Sequence, residues 1–269
     1  MISRISYLRV FFATLLLALA GAVLLPWEVE LQSRAKNAGF RSISLNLDLR
    51  EQIGQSGFLA ALSGFRSPLA ALLWIQAHIA WEKTEWGRMA ALFDTVTTLQ
   101  PHTLFYWDVA AWHMAWNASL SALQDKKQQS EALRERSARQ YIALGRHILE
   151  RGIRNNPNSY ELYAALGRLA QFKEEDHAAA ASAYAKAASF SDAPDYIRRA
   201  AAYELAKVPG REREAYDKLV ELYQKGQAKV APSLLFYIRQ LEDKLQIPAD
   251  QRMKPITTKS PPPMFGFPK

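Results

Sequence analysis

From Ser67 onward the chain reads as one helical segment after another, cut at short intervals by proline and glycine. Pro68 opens a segment that runs to about Lys83, and a second runs from Trp86 to about Leu99 before Gln100-Pro101 stops it. A third runs from Thr103 past Ser119. A fourth runs from about Ser130 to Arg154 and ends at Asn155-Asn156-Pro157. Segments 159–172, 177–190, 195–207, 212–225 and 232–245 follow, with Pro209-Gly210 and Gly226 as further breaks. Proline lacks the amide proton a helix interior needs, and glycine adds backbone freedom that a helix must remove, so both punctuate helical sequence. Connections this short return each helix antiparallel to its predecessor. The pattern predicts an all-α fold built of helical hairpins. Only 12 glycines in 269 residues, against abundant Ala, Leu, Lys, Glu, Arg and Gln, point the same way.

The N-terminus has a different character. MISRISYLRVFFATLLLALAGAVLLPWEVE carries Arg4 and Arg9, then no charge from Val10 to Trp27. With Ile5–Leu8 included, the stretch approaches the roughly 20 residues that span a bilayer. Tyr7 and Trp27 stand near its two ends, where amphipathic rings favour the interface. The expectation is a transmembrane anchor over residues 1–27, in contact with membrane through residues 5–27. A cleaved signal peptide is the alternative, since Ala18-Leu19-Ala20 has the small residues of a cleavage site. Basic residues precede the apolar run, so the expected placement is single-pass in a bacterial-type inner membrane. The N-terminus would be cytoplasmic and the body extracytoplasmic. Between anchor and helices, Ile43, Leu45, Leu47 and Leu49 alternate with polar residues. That is a strand period, open to pairing with another chain or to absorption into a helix through EQIGQSGFLAALSGF.

The segment NPNSYELYAALGRLAQFKEEDHAAAASAYAKAASF resembles the tetratricopeptide repeat (TPR) pattern. Tyr163, Leu166 and Gly167 fit its first helix, and Ala180, Tyr184 and Ala187 its second. Pro157 falls where the preceding unit closes. LQPHTLFYWDVAAWHMAW resembles the same junction, with Tyr106 or Trp107, then Ala110 and Ala111, opening a unit. The stretch from Asp195 to Gly226 is more degenerate. The resemblance spans roughly residues 68–226 and implies a TPR-like hairpin solenoid, in which small residues let helices approach and rings fill the gaps between hairpins. On this reading the tryptophans at 74, 81, 107, 112 and 116 are chiefly scaffold, with room for one of the last three to be exposed. The expected organisation is an anchor over 1–27, a linker with a short amphipathic segment over 28–66, a TPR-like helical domain over 67–247, and a tail over 248–269. The tail is rich in proline and basic: the last nineteen residues hold Arg252, Lys254, Lys259 and Lys269 and no acid, half of the formal net charge of +8.

Chemistry is sparse. The absence of cysteine excludes disulfides, thiolate metal sites and cysteine nucleophiles. His78, His102, His113, His147 and His177 show no second histidine at zinc-site spacing, HExxH is absent, and no phosphate-binding glycine loop or nucleophile elbow occurs. Glu174-Glu175-Asp176 sits where a hairpin turn is expected. No catalytic residue, metal or cofactor is therefore assigned. What the TPR resemblance implies is a concave groove for a partner peptide, lined on the best unit by Glu161, Ala164, Arg168 and Gln171 and on the next by Arg198. Arg66 is a further candidate for partner contact, or a cap on the helix containing Leu59–Leu62. The expected function is a membrane-anchored, non-catalytic adaptor at the cell envelope that binds protein partners. An α-superhelical cell-wall hydrolase and a structural subunit of a larger membrane complex are the alternatives. No basic–aromatic motif for nucleic acid is present.

Overall fold

The computed structural model describes residues 64–226 and 233–254. The apolar N-terminal run, the Ile43–Leu49 segment and the proline-rich stretch after Lys254 lie outside the described residues. Ten α-helices follow one another among the described residues: α1 (Arg66–Glu82), α2 (Trp86–Leu99), α3 (Leu104–Trp112), α4 (Ser119–Leu123), α5 (Glu131–Asn155), α6 (Tyr160–Leu169), α7 (His177–Ala188), α8 (Asp195–Leu205), α9 (Glu212–Gln224) and α10 (Ser233–Lys244). A π-helical stretch, His113–Ala118, joins α3 to α4, and a second, Ala170–Glu174, extends α6. No strand occurs among the described residues. The breaks expected at Pro101, Pro157, Pro209-Gly210 and Gly226 all fall between helices.

Local chemistry sets the ends. Ser130 accepts a hydrogen bond from the Leu133 amide, Ser159 from Leu162 and Asp176 from Ala179, which satisfies amides that the first helical turn leaves unpaired. Glu175 closes the second π stretch in the left-handed region at φ 55°. Each helix packs on its neighbours in the chain, and α3 also reaches α6. Glycines set the closest approaches: a Cβ on Gly152 would lie 2.9 Å from the Trp107 ring, and one on Gly145 2.8 Å from the Ala111 carbonyl oxygen. Small residues and rings interlock between helices, as the TPR resemblance implies. Towards the C-terminal end, Ala202, Leu205, Ala215, Leu219, Leu234 and Ile238 close the core across α8, α9 and α10.

Among the described residues no helix is long and apolar enough to cross a membrane. The expected placement as a single-pass inner-membrane protein with an extracytoplasmic body is corrected accordingly. The reason lies in the helices themselves. The longest, α5, has 25 residues but carries Arg134, Glu135, Arg136, Arg139, Arg146 and Glu150 along its length. The apolar α1 has 17 residues, short of the roughly 20 a bilayer requires.

Candidate functional site

Ala70, Leu73, Ala77 and Ala80 are the buried residues of α1. Their spacing draws one stripe along the helix, the stripe that packs on α2. Trp74 and Trp81 lie beside it, seven residues apart and half-buried. In α3 the buried residues are Trp107, Ala110 and Ala111. Phe105 and Trp112, also seven apart, leave the other side and stay 58% and 42% exposed. The two helices thereby bring a continuous row of rings to one surface. Trp74 sits 5.3 Å from Phe105 and 5.0 Å from Tyr106, centroid to centroid. It also lies 5.3 Å from Phe93 of α2. His113, the first residue of the π stretch, ties the far end together at 5.6 Å from Trp81, 5.8 Å from Phe93 and 5.0 Å from Trp112.

His113 is held neutral in this setting. Burial among the rings, reinforced by the neighbouring His78, lowers its pKa from 6.5 to about 4. Its Nδ1 lies 3.0 Å from the Asn117 side-chain amide nitrogen, consistent with an unprotonated Nδ1 that accepts from that amide. Next along the surface, Arg168 of α6 donates to Asp108 of α3 at 3.1 Å. Burial raises the Asp108 pKa even so, with Arg168 opposing. Lys173 stands over the Trp116 ring at 5.9 Å and links the two π stretches; burial lowers its pKa.

The residues expected from sequence to line a groove are placed as follows. Arg168 reaches this surface, paired with Asp108. Glu161 accepts from the Ser159 hydroxyl at 2.8 Å and supports the start of α6. Ala164 is half-buried against the core formed by α6, α7 and α8. Gln171 donates to Glu204 at 2.8 Å and accepts from the Tyr184 hydroxyl at 2.9 Å, so its amide is engaged within the fold. Arg198 pairs with Asp195 one turn earlier in α8 at 2.6 Å. Arg66 is exposed in the first turn of α1, and the helix proposed for it to cap lies outside the described residues. The structure thus brings Arg168 next to the rings and leaves the others at separate places.

The tryptophans keep the scaffold role expected of most of them, and Trp112 is the exposed one among the last three. Trp107 fills that role, 1% exposed, with its Nε1 donating to the Pro101 carbonyl at 2.9 Å. Trp74 and Trp81, half-buried and packed on Phe93, Tyr106 and His113, also border a surface with the exposed Trp112 and Phe105. A signal existed in the sequence: once Trp107, Ala110 and Ala111 take the core face, Phe105 and Trp112 must leave the other. Such a surface can bind. Exposed aromatic rings supply large contact area at small conformational cost, and the neutral His113 adds polar capacity.

No family model matches the chain, and no curated protein matches it. A crystal structure of a thermophilic TPR protein in Thermus thermophilus is similar at 16% identity, covering 74% of this chain and 100% of that one, with a TM-score of 0.37.

Proposed function

We propose that this chain is a non-catalytic, TPR-like helical scaffold that holds a segment of a protein partner against the aromatic surface of α1 and α3. The observation that carries the reading is the exposure of Phe105 and Trp112 in a row continuous with Trp74, Trp81 and His113. Rings exposed together beside buried ones resemble the anchor positions at which interfaces concentrate their binding energy. The hairpin architecture supports it: Gly167 and Tyr184, two of the residues that carry the TPR resemblance, pack against each other. The Asp108–Arg168 pair at the edge of the rings would set orientation, since exposed ion pairs steer partners more than they add affinity.

The test begins with peptides selected from a random display library on the full chain, followed by titration against wild type and three variants. Trp112→Ala and Phe105→Ala should each weaken binding by about tenfold or more. Arg168→Ala should change the rate of association and its salt dependence more than the affinity. Circular dichroism should match wild type, because neither ring is in the core. Equal affinity for wild type and both ring variants would overturn the reading.

A further inference from the structure

The rings that border the surface of α1 and α3 carry polar groups of one kind. Trp86 and Trp107 donate their Nε1–H within the fold, to the Ser121 hydroxyl and the Pro101 carbonyl. The Nε1–H groups of Trp74, Trp81 and Trp112 meet no acceptor among the described residues. No buried side-chain nitrogen there lacks a partner, so the nitrogens of the half-buried Trp74 and Trp81 must reach solvent. His113 adds a donor of the same kind. Its neutral ring accepts from Asn117 at Nδ1, which leaves the proton on Nε2, and that nitrogen reaches solvent by the same reasoning. The neighbouring carboxylate, Asp108, is engaged by Arg168. The rings therefore present uncharged donors and call for acceptors. We propose that the partner segment held here is proline-rich and lies across α1 and α3 as a polyproline II helix, with prolines three residues apart against the rings and its carbonyls accepting from the indole and imidazole N–H groups. This rests on the aromatic surface being a binding site, and it names the chemistry of the segment bound.

Hydrogen-bond complementarity commits the surface to that occupant. Proline has no amide proton, so a proline-rich segment brings carbonyls with few donors to match. Polyproline II makes no internal hydrogen bonds, which leaves those carbonyls available. An α-helical partner pairs its own carbonyls along its length and would leave the indole donors unmet. The spacing agrees. Trp74 and Trp81 are seven residues apart, as are Phe105 and Trp112, and seven helical residues rise about 10.5 Å. One polyproline turn of three residues rises about 9.3 Å. An extended strand repeats a face every ~6.8 Å and matches less well. The chain's own prolines 261–263 follow α10, at the other end of the packing order from α1 and α3, so the source is a separate partner protein.

The test uses the full chain with its tryptophans isotopically labelled for nitrogen NMR, and decaproline as the probe. A glycine–serine decamer and a glutamate-rich decamer serve as comparisons. Single Trp→Phe variants assign the indole signals. Decaproline should move the indole N–H signals of Trp74, Trp81 and Trp112 and leave those of Trp86 and Trp107, already bonded within the fold, in place. Trp112→Phe keeps an aromatic ring and removes only the donor, so it should weaken decaproline binding by about threefold to tenfold. Unmoved signals at the three indoles would overturn the proposal, and so would shifts of equal size with either comparison peptide. Equal affinity for wild type and Trp112→Phe would do the same. Shifts that appear only after Pro261, Pro262 and Pro263 are changed to alanine would assign the surface to the chain's own segment and reject a partner. Failure here is distinct from failure of the aromatic surface. Library peptides that lack proline yet lose affinity in Trp112→Ala would leave the surface a binding site and remove its proline preference. Library peptides indifferent to the ring variants would remove both.

Discussion

A methyl group added at Gly167 would sit 2.8 Å from the Tyr184 ring, and one at Gly152 2.9 Å from Trp107. Rings packed between helices have little room to retreat, so Gly167→Ala and Gly152→Ala should each cost about 1–3 kcal/mol in urea unfolding. Gly87, inside α2, has nothing within 4 Å of where its Cβ would be. Gly87→Ala should therefore stabilise by about 0.4–1 kcal/mol through the unfolded chain. Gly167 and Tyr184 were each legible in sequence as positions of the TPR pattern, though their contact comes from the packing. Gly152 was not, since Trp107 lies 45 residues away and only packing reveals it. His113 makes a further prediction at this scale. Its folded pKa of about 4 lies below the ordinary 6.5, so between those values the unfolded chain holds a proton that the folded one refuses. Its contribution is fully present above about pH 6.5 and is lost as the pH falls towards 4. His147 has the same sign, from burial and then from Arg151 and Arg154. The slope of stability against pH in this window should be shallower in His113→Gln than in wild type, as measured by urea midpoints.

Helix joints rest on polar groups that periodicity cannot locate. Glu204 of α8 is 1% exposed and accepts from Gln171 at 2.8 Å, from His177 at 2.7 Å and from Lys207 at 2.7 Å. In the sequence it reads as an ordinary solvated residue of an amphipathic helix. Its burial depends on partners 33 and 27 residues earlier, at the end of α6 and the start of α7. Removing it strands three donors, of which His177 and Lys207 are partly solvated and can recover water. Glu204→Ala should cost about 2–4 kcal/mol, and Glu204→Gln less, with the urea m-value unchanged if the loss is local. Glu242 plays a similar part at α10, accepting from Arg239 at 2.6 Å and from the Met253 amide at 2.7 Å. The helices themselves were legible almost end to end, because proline and glycine mark their limits. The two π stretches were not: HMAWNA and AQFKE carry no local sign that distinguishes them from α-helix.

Across the described hairpins, packing passes mainly from each helix to the next. Stability in such an arrangement is approximately a sum of neighbour terms. Gly152→Ala should raise amide exchange in α3 and α5 while leaving α9 and α10 near wild-type protection, and Glu204→Ala should loosen α6–α8 before α1 and α2. Exchange that rose equally everywhere would mean a single cooperative core instead. The hairpin order was legible at this scale, since short connections leave few alternatives. The outward aromatic surface was less so, because which side of α1 and α3 faces the core depends on neighbours far along the chain. The first π stretch has one more consequence, for the chain's tolerance of change in length. A π turn holds one residue more than an α turn needs. Loss of a single residue within His113–Ala118, which has a helix on either side, would restore ordinary helical register and leave α3 and α4 aligned. The same loss elsewhere in α3 would swing every later side chain by about 100°. The first π stretch is thus a place where this protein can lose a residue without refolding.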